Sequence, residues 1–168
     1  MTVQAEITTS TALAKIDEFD ILVVPGGNPS LIYDMCKRDT EEAKLIKAFN
    51  ESSTAGNDGE KIILSVCTGA GLLGALGVLK GLKATTHRLF LDALGAMDSS
   101  IEVVSSVTSE GKPNRYVDGG FNKQGKRVIT GGGVSCGLDA ALFVAELKAG
   151  REAAEFVARI MEYEWRRA

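Results

Sequence analysis

Histidine is almost absent from this chain: His87 is the single one in 168 residues. With one imidazole and no closely spaced cysteine pair, the usual zinc-ligand patterns cannot be written, and no metal or other cofactor is expected. Cysteine is sparse as well. Cys36, Cys67 and Cys136 are odd in number and far apart, which suits reduced thiols in a cytoplasmic protein better than a disulfide framework. Long apolar runs are lacking: the longest, over 66–79, is interrupted by threonine and glycine and falls short of the roughly 20 residues a bilayer span needs. The N-terminus shows no secretory pattern of basic, apolar and then small residues. Nor is there a surplus of positive charge. Twenty-two acidic against 19 basic side chains give a net charge of −3, so no cationic field exists to hold nucleic acid or a membrane surface. What remains is one domain's worth of chain, 1–168, whose 45% hydrophobic content can fill a single core.

The apolar pattern alternates between strand and helix. Val3, Ala5 and Ile7 alternate with polar residues, as in a half-exposed strand. Ile21-Leu22-Val23-Val24 is a continuous run stopped by Pro25-Gly26-Gly27, the pattern of a strand buried on both faces and ending in a sharp turn. Asp39 or Thr40 is placed to cap a helix carrying Ala43, Ile46 and Phe49. A polar loop over 51–60 leads to a second buried strand at 61–66, and a helix of small residues and leucines follows from Thr68, fading at Gly77 and Gly81. Extended structure is expected over 83–86, a short helix over 89–94 and a strand over 101–104. Strands at 115–117 and 127–130 flank a hairpin turn at Asn122-Lys123-Gln124-Gly125. Ser135 is placed to cap a long helix that runs to about Lys148 and stops at Gly150, before an amphipathic helix with Phe156, Val157, Ile160 and Met161. This alternation predicts an α/β fold, a mostly parallel sheet covered on both faces.

One residue type at one place carries chemistry. In Ser65-Val66-Cys67-Thr68-Gly69-Ala70-Gly71 a buried strand meets a helix at a cysteine, resembling a nucleophile elbow in which a tight turn lifts the reactive group above the sheet edge. Unpaired N–H groups at a helix start favour thiolate over thiol and can hold an oxyanion, with Thr68 N–H nearest and Gly27 N–H a second donor. A compact, buried core cysteine fits the same local sequence. In open parallel sheets ligands sit beyond the carboxyl ends of the strands. Pro25-Gly26-Gly27, Cys67, His87 and Gly131-Gly132-Gly133 each follow an inferred strand, so Gly26, His87, Gly132 and Cys136 are candidate pocket residues. His87 either partners the thiol or caps the helix start before Arg88; Cys136, at another helix start, is read as pocket wall or core. Cys36, beside Leu31, Ile32 and Tyr33, is read as core packing, and Asp139 as a carboxylate stabilising a first helical turn.

Four motifs in order, Ile21-Leu22-Val23-Val24-Pro25-Gly26-Gly27, Ser65-Val66-Cys67-Thr68-Gly69-Ala70, Leu79-Lys80-Gly81-Leu82-Lys83-Ala84-Thr85-Thr86-His87 and Ile129-Thr130-Gly131-Gly132-Gly133-Val134-Ser135-Cys136-Gly137-Leu138-Asp139, resemble the PfpI family, within the class I glutamine-amidotransferase-like superfamily. The Cys-Thr-Gly elbow with Ala-Thr-Thr-His looks most like its isocyanide hydratase branch. The resemblance implies a flavodoxin-like three-layer sandwich, commonly a homodimer, with Cys67 as nucleophile, Thr68 as the residue beside it and Gly27 as a backbone donor. In the hydratase branch the thiolate attacks an isocyanide, a small molecule, and water releases an N-substituted formamide from a thioimidate.

Members of the family usually open with a strand and a helix whose Asp or Glu bonds the cysteine, and this sequence starts after that point. Asp17 and Glu18 precede the Ile21 strand and are expected at its far end, so neither substitutes. A misassigned start, a shortened chain and a degenerate paralogue all fit, each predicting uncovered sheet edges. Two further functional readings accompany the hydratase one. In glyoxalase or deglycase chemistry on reactive carbonyls, a histidine often follows the cysteine where Thr68 stands. In a redox sensor, Cys67 is oxidised to a sulfinate held by the Thr68 and Gly27 N–H groups. An inactive structural remnant is the remaining alternative.

Overall fold

The computed structural model describes residues 13–53 and 60–167; the Val3, Ala5 and Ile7 segment and most of the 51–60 loop lie outside them. In chain order the strands are β1 (Ile21–Val24), β2 (Ile62–Val66), β3 (Lys83–Ala84), β4 (Glu102–Val103), β5 (Tyr116–Phe121) and β6 (Arg127–Gly131). The α-helices named here are α1 (Pro29–Cys36), α2 (Glu41–Glu51), α3 (Ala70–Ala75), α4 (Leu91–Met97), α5 (Cys136–Ala149) and α6 (Arg151–Ile160). The main sheet has the order β1-β2-β6-β5. Its first three strands are parallel, with Val24 beside Ser65 and Val66 beside Gly131, so β1, β2 and β6 end on one rim. β5 runs antiparallel to β6, joined by the expected turn, in which Gly125 adopts φ 72°.

Each face of the sheet has its own core. On one, Val24, Ile63 and Val128 pack with Ile32, Ile46, Phe49, Leu72 and Leu94; on the other, Ile62, Leu64 and Ile129 pack with Ala140 and Val144 of α5. The period of two in β2 produces this division: alternate residues enter opposite layers, and both are apolar because both faces are covered. Local chemistry sets the helix starts. Asn28 Oδ1 accepts from Ser30 N–H at 2.9 Å before Pro29, and Thr40, rather than Asp39, caps α2 by accepting from Ala43 N–H.

Several expectations are corrected. β1 is covered on one face only: Ile21 and Val23 are 38% and 53% exposed, because β1 is the edge strand among the described residues and α5 packs on β2 and β6 instead. The amphipathic helix expected at Phe156 is present as α6; its inward residues are Ala154 and Ala158, whose small side chains permit the close α5 contact, while Phe156 and Ile160 are 55% and 67% exposed. Ser135 stands before α5 without capping it, since its hydroxyl accepts from Arg115 Nη2 at 3.1 Å. The helix expected from Thr68 begins as a 3-10 turn, Cys67–Gly69, and is α-helical only over Ala70–Ala75. The 83–86 segment is regular only at β3, which pairs with β4 in a separate small sheet.

At the opposite rim two lysines are buried, Lys61 and Lys126, each 1% exposed. The Lys61 ammonium donates to the Ile16 and Asp17 carbonyls and to Ser52 Oγ, and Lys126 to the Ser52 carbonyl at 2.6 Å. Burial, then the neighbouring Lys61 charge, hold Lys126 below the ordinary lysine range. Asp17 therefore lies at the far end from Cys67, as expected.

Candidate functional site

Cys67 follows β2 with φ 58°, a left-handed conformation that costs a side-chain-bearing residue about 1–2 kcal/mol. Two hydrogen bonds hold it there. Its N–H donates to the Gly132 carbonyl at 2.8 Å, and its carbonyl accepts from the buried Thr86 hydroxyl at 2.7 Å. Cys67 itself is half-buried, so the core-cysteine alternative does not describe it fully. Glycines let the neighbouring loop close on the turn. A Cβ on Gly69 would strike the carbonyls of Val24 and Pro25, and one on Gly26 would lie 2.7 Å from the Thr68 nitrogen.

Thr68 fastens that loop. Its hydroxyl accepts from Gly27 N–H at 2.9 Å and donates to the Gly27 carbonyl at 2.9 Å. The Gly27 N–H, expected as an oxyanion donor, is thus committed to Thr68 Oγ1 in this structure. Its backbone donates inward while Gly27 as a residue is exposed.

The other expected pocket residues meet at the same rim. A Cβ on Gly132 would lie 3.2 Å from Cys136 Sγ, and one on Gly133 3.5 Å from His87 Cδ2. Gly26 and Gly27 touch Thr68, Cys67 touches Gly132, and Gly133 touches His87, so the four strand ends form one arc. His87 caps its own turn: Nδ1 accepts from Leu89 N–H at 3.3 Å. Cys36 is of another kind. It lies half-buried on α1 with Sγ donating to the Gly71 carbonyl at 3.5 Å, and burial pushes its thiol pKa up.

The sequence reading missed two parts of this arc. Thr86 carries no role in the sequence motif beside His87, although a threonine just past a strand end and one residue before a candidate pocket residue is a usable signal. Asp139 does more than favour a helix start. It is fully buried, pairs with Arg115 Nε, and accepts from Tyr163 OH at 3.1 Å and from Arg166 N–H at 2.8 Å. Trp165 Nε1 donates to its carbonyl, so the C-terminal residues are strapped to the first turns of α5, beside Cys136. Nothing in local sequence pairs residues 115, 139 and 163.

A model of the DJ-1/PfpI family matches residues 2–146. Isonitrile hydratase of Pseudomonas putida is 28% identical over 160 residues, which cover 94% of this chain and 58% of that protein; the chain spans less than two thirds of its relative. Among solved structures, DJ-1beta of Drosophila melanogaster is similar with a TM-score of 0.63 at 22% identity, covering 91% of this chain and 70% of that one. A THiJ/PfpI family protein from Pseudomonas syringae has a TM-score of 0.60 at 31% identity, covering 87% and 50%. The parallel β1-β2-β6 core with helices on both faces is the flavodoxin-like arrangement of these neighbours. On the family match over most of its length, with the fold to go with it, this chain belongs to the DJ-1/PfpI family.

Proposed function

We propose that this protein hydrates isocyanides through Cys67. The observation that carries the reading is the turn itself: a half-buried cysteine held at φ 58° with Thr68 directly following it and both adjoining peptide groups hydrogen-bonded. The 28% identity to an isonitrile hydratase supports the choice of reaction. The Cys67 thiol gives up its proton and, as thiolate, adds to the terminal carbon of R–NC, forming a C–S bond while that carbon takes up the released proton, to give the thioimidate R–N=CH–S–Cys67. Water then adds to the same carbon, the C–S bond breaks, and R–NH–CHO leaves with the thiol regenerated. Thr68 N–H faces the charge that develops during addition and hydrolysis, and Gly26, His87, Gly132 and Cys136 wall the substrate.

The sulfinate-holding redox reading is weaker, because Gly27 N–H, one of its two donors, is already bonded to Thr68 Oγ1. The test is formamide production from an alkyl isocyanide, followed by proton NMR, for the wild type, Cys67→Ser and Cys36→Ser. Loss in Cys67→Ser alone is expected; equal loss in both variants refutes the assignment. The family's homodimer is carried as part of the proposal and is checked by sedimentation.

A further inference from the structure

Thr86 is fully buried, and its hydroxyl reaches across 19 residues of sequence to the Cys67 carbonyl at 2.7 Å. It is not needed to anchor its own segment. Thr85 does that, donating its N–H to Thr130 Oγ1 at 2.8 Å and its hydroxyl to the Val104 carbonyl at 3.0 Å. Thr86 therefore spends its one hydroxyl proton on the strained turn.

The geometry of the peptide group gives that bond a consequence. A trans peptide is planar, so its C=O and the following N–H point in opposite directions. Drawing the Cys67 carbonyl toward Thr86 therefore aims the Thr68 N–H to the other side of the same plane. The preceding peptide is fixed independently by Cys67 N–H on the Gly132 carbonyl at 2.8 Å. With both flanking peptides pinned, Cys67 stays in the left-handed region; with Thr86 lost, the 67–68 peptide is free to rotate as the turn relaxes.

We propose that Thr86 is a positioning residue of the reactive centre, acting through the 67–68 peptide to hold the Thr68 N–H toward the charge formed when substrate adds to the thiol. This role rests on the reading of Cys67 as the reacting group. Donors fixed in advance need no reorientation during reaction, which is the source of their effect.

The comparison is Thr86→Val, which keeps the shape and removes the hydroxyl, with Thr86→Ser, which keeps the hydroxyl. Three readouts apply: kcat and KM on an alkyl isocyanide, the rate of Cys67 alkylation by iodoacetamide from peptide mass spectrometry, and the Thr68 amide resonance in a proton–nitrogen spectrum. Thr86→Val is expected to lower kcat about tenfold or more with KM little changed, to slow alkylation and to move the Thr68 resonance. Thr86→Ser restores all three. A folded Thr86→Val with wild-type kcat, alkylation rate and Thr68 resonance overturns the proposal, as does a serine variant as impaired as the valine one. If Thr86→Val does not fold, Thr86→Ala against Thr86→Ser makes the same comparison. Should the wild type convert no isocyanide, the alkylation rate and the resonance still decide the role of Thr86, and the hydratase reading alone falls.

Discussion

Replacing Cys67 by glycine and by alanine isolates the strain at the turn. Both variants remove the thiol, so its lost contacts cancel in the comparison, and only the Cβ distinguishes them. At an ordinary position alanine is the more stabilising residue by about 0.5–1 kcal/mol, because glycine loses more chain entropy on folding. At φ 58° the alanine Cβ carries a penalty of about 1–2 kcal/mol that glycine escapes. The second effect exceeds the first. Cys67→Gly is therefore expected to be more stable than Cys67→Ala by about 0.5–1 kcal/mol, an inversion of the usual order. In urea unfolding followed by circular dichroism, with a slope of about 2 kcal/mol per molar, the midpoints should differ by about 0.25–0.5 M. Equal midpoints, or a more stable alanine variant at the same slope, would refute the argument that the backbone stores strain at this residue.

Thr68→Val leaves the Gly27 amide and carbonyl without the hydroxyl that joins them; a loss of about 2 kcal/mol is expected in the same unfolding assay, given the partial access of Gly27 to water. Gly69→Ala forces a methyl into the Val24 and Pro25 carbonyls and should shift the thermal midpoint far more than Gly27→Ala, where a Cβ meets nothing within 4 Å. Burial raises the Asp118 pKa, but hydrogen bonds from Arg127 and the Gly120 N–H, with the Arg127 charge, outweigh it and lower the carboxyl overall. A carboxyl lower in the folded than in the unfolded state contributes stability above its unfolded pKa, near about 3.9, and loses it as pH falls through the folded value. Asp118→Asn should accordingly flatten the acid limb of stability against pH. Asp139→Asn leaves the mostly buried Arg115 without its counter-charge and is expected to cost about 3 kcal/mol, measured by urea unfolding.

The parts of this fold written in short-range pattern were legible. β2 was visible as a run of β-branched and apolar residues, and the 122–125 turn as polar residues ending in glycine. The Cys67 turn was visible because strand, cysteine and small residues follow one another directly. The errors share a cause. Periodicity shows that a side chain is apolar without showing what covers it, so the 21–24 run predicts a strand buried on both faces although Val23 is exposed. A cap is local, so the sequence places Ser135 on its own helix, whereas its actual partner, Arg115, is 20 residues away. Thr86 escaped for the same reason: its importance comes from the Cys67 carbonyl, which the topology brings to it.

The strap at the C-terminus makes the molecule report on itself. Trp165 is the single tryptophan of the chain, with its indole N–H on the Asp139 carbonyl at 3.1 Å and the Arg167 guanidinium 4.7 Å from its ring centre. Asp139 lies one helical turn beyond Cys136, at the end of α5 that borders the site. Intrinsic fluorescence therefore watches that wall rather than the bulk of the protein. On gentle heating, a red shift in emission before any loss of helical circular dichroism would register the tail lifting from α5 while the sheet is still intact.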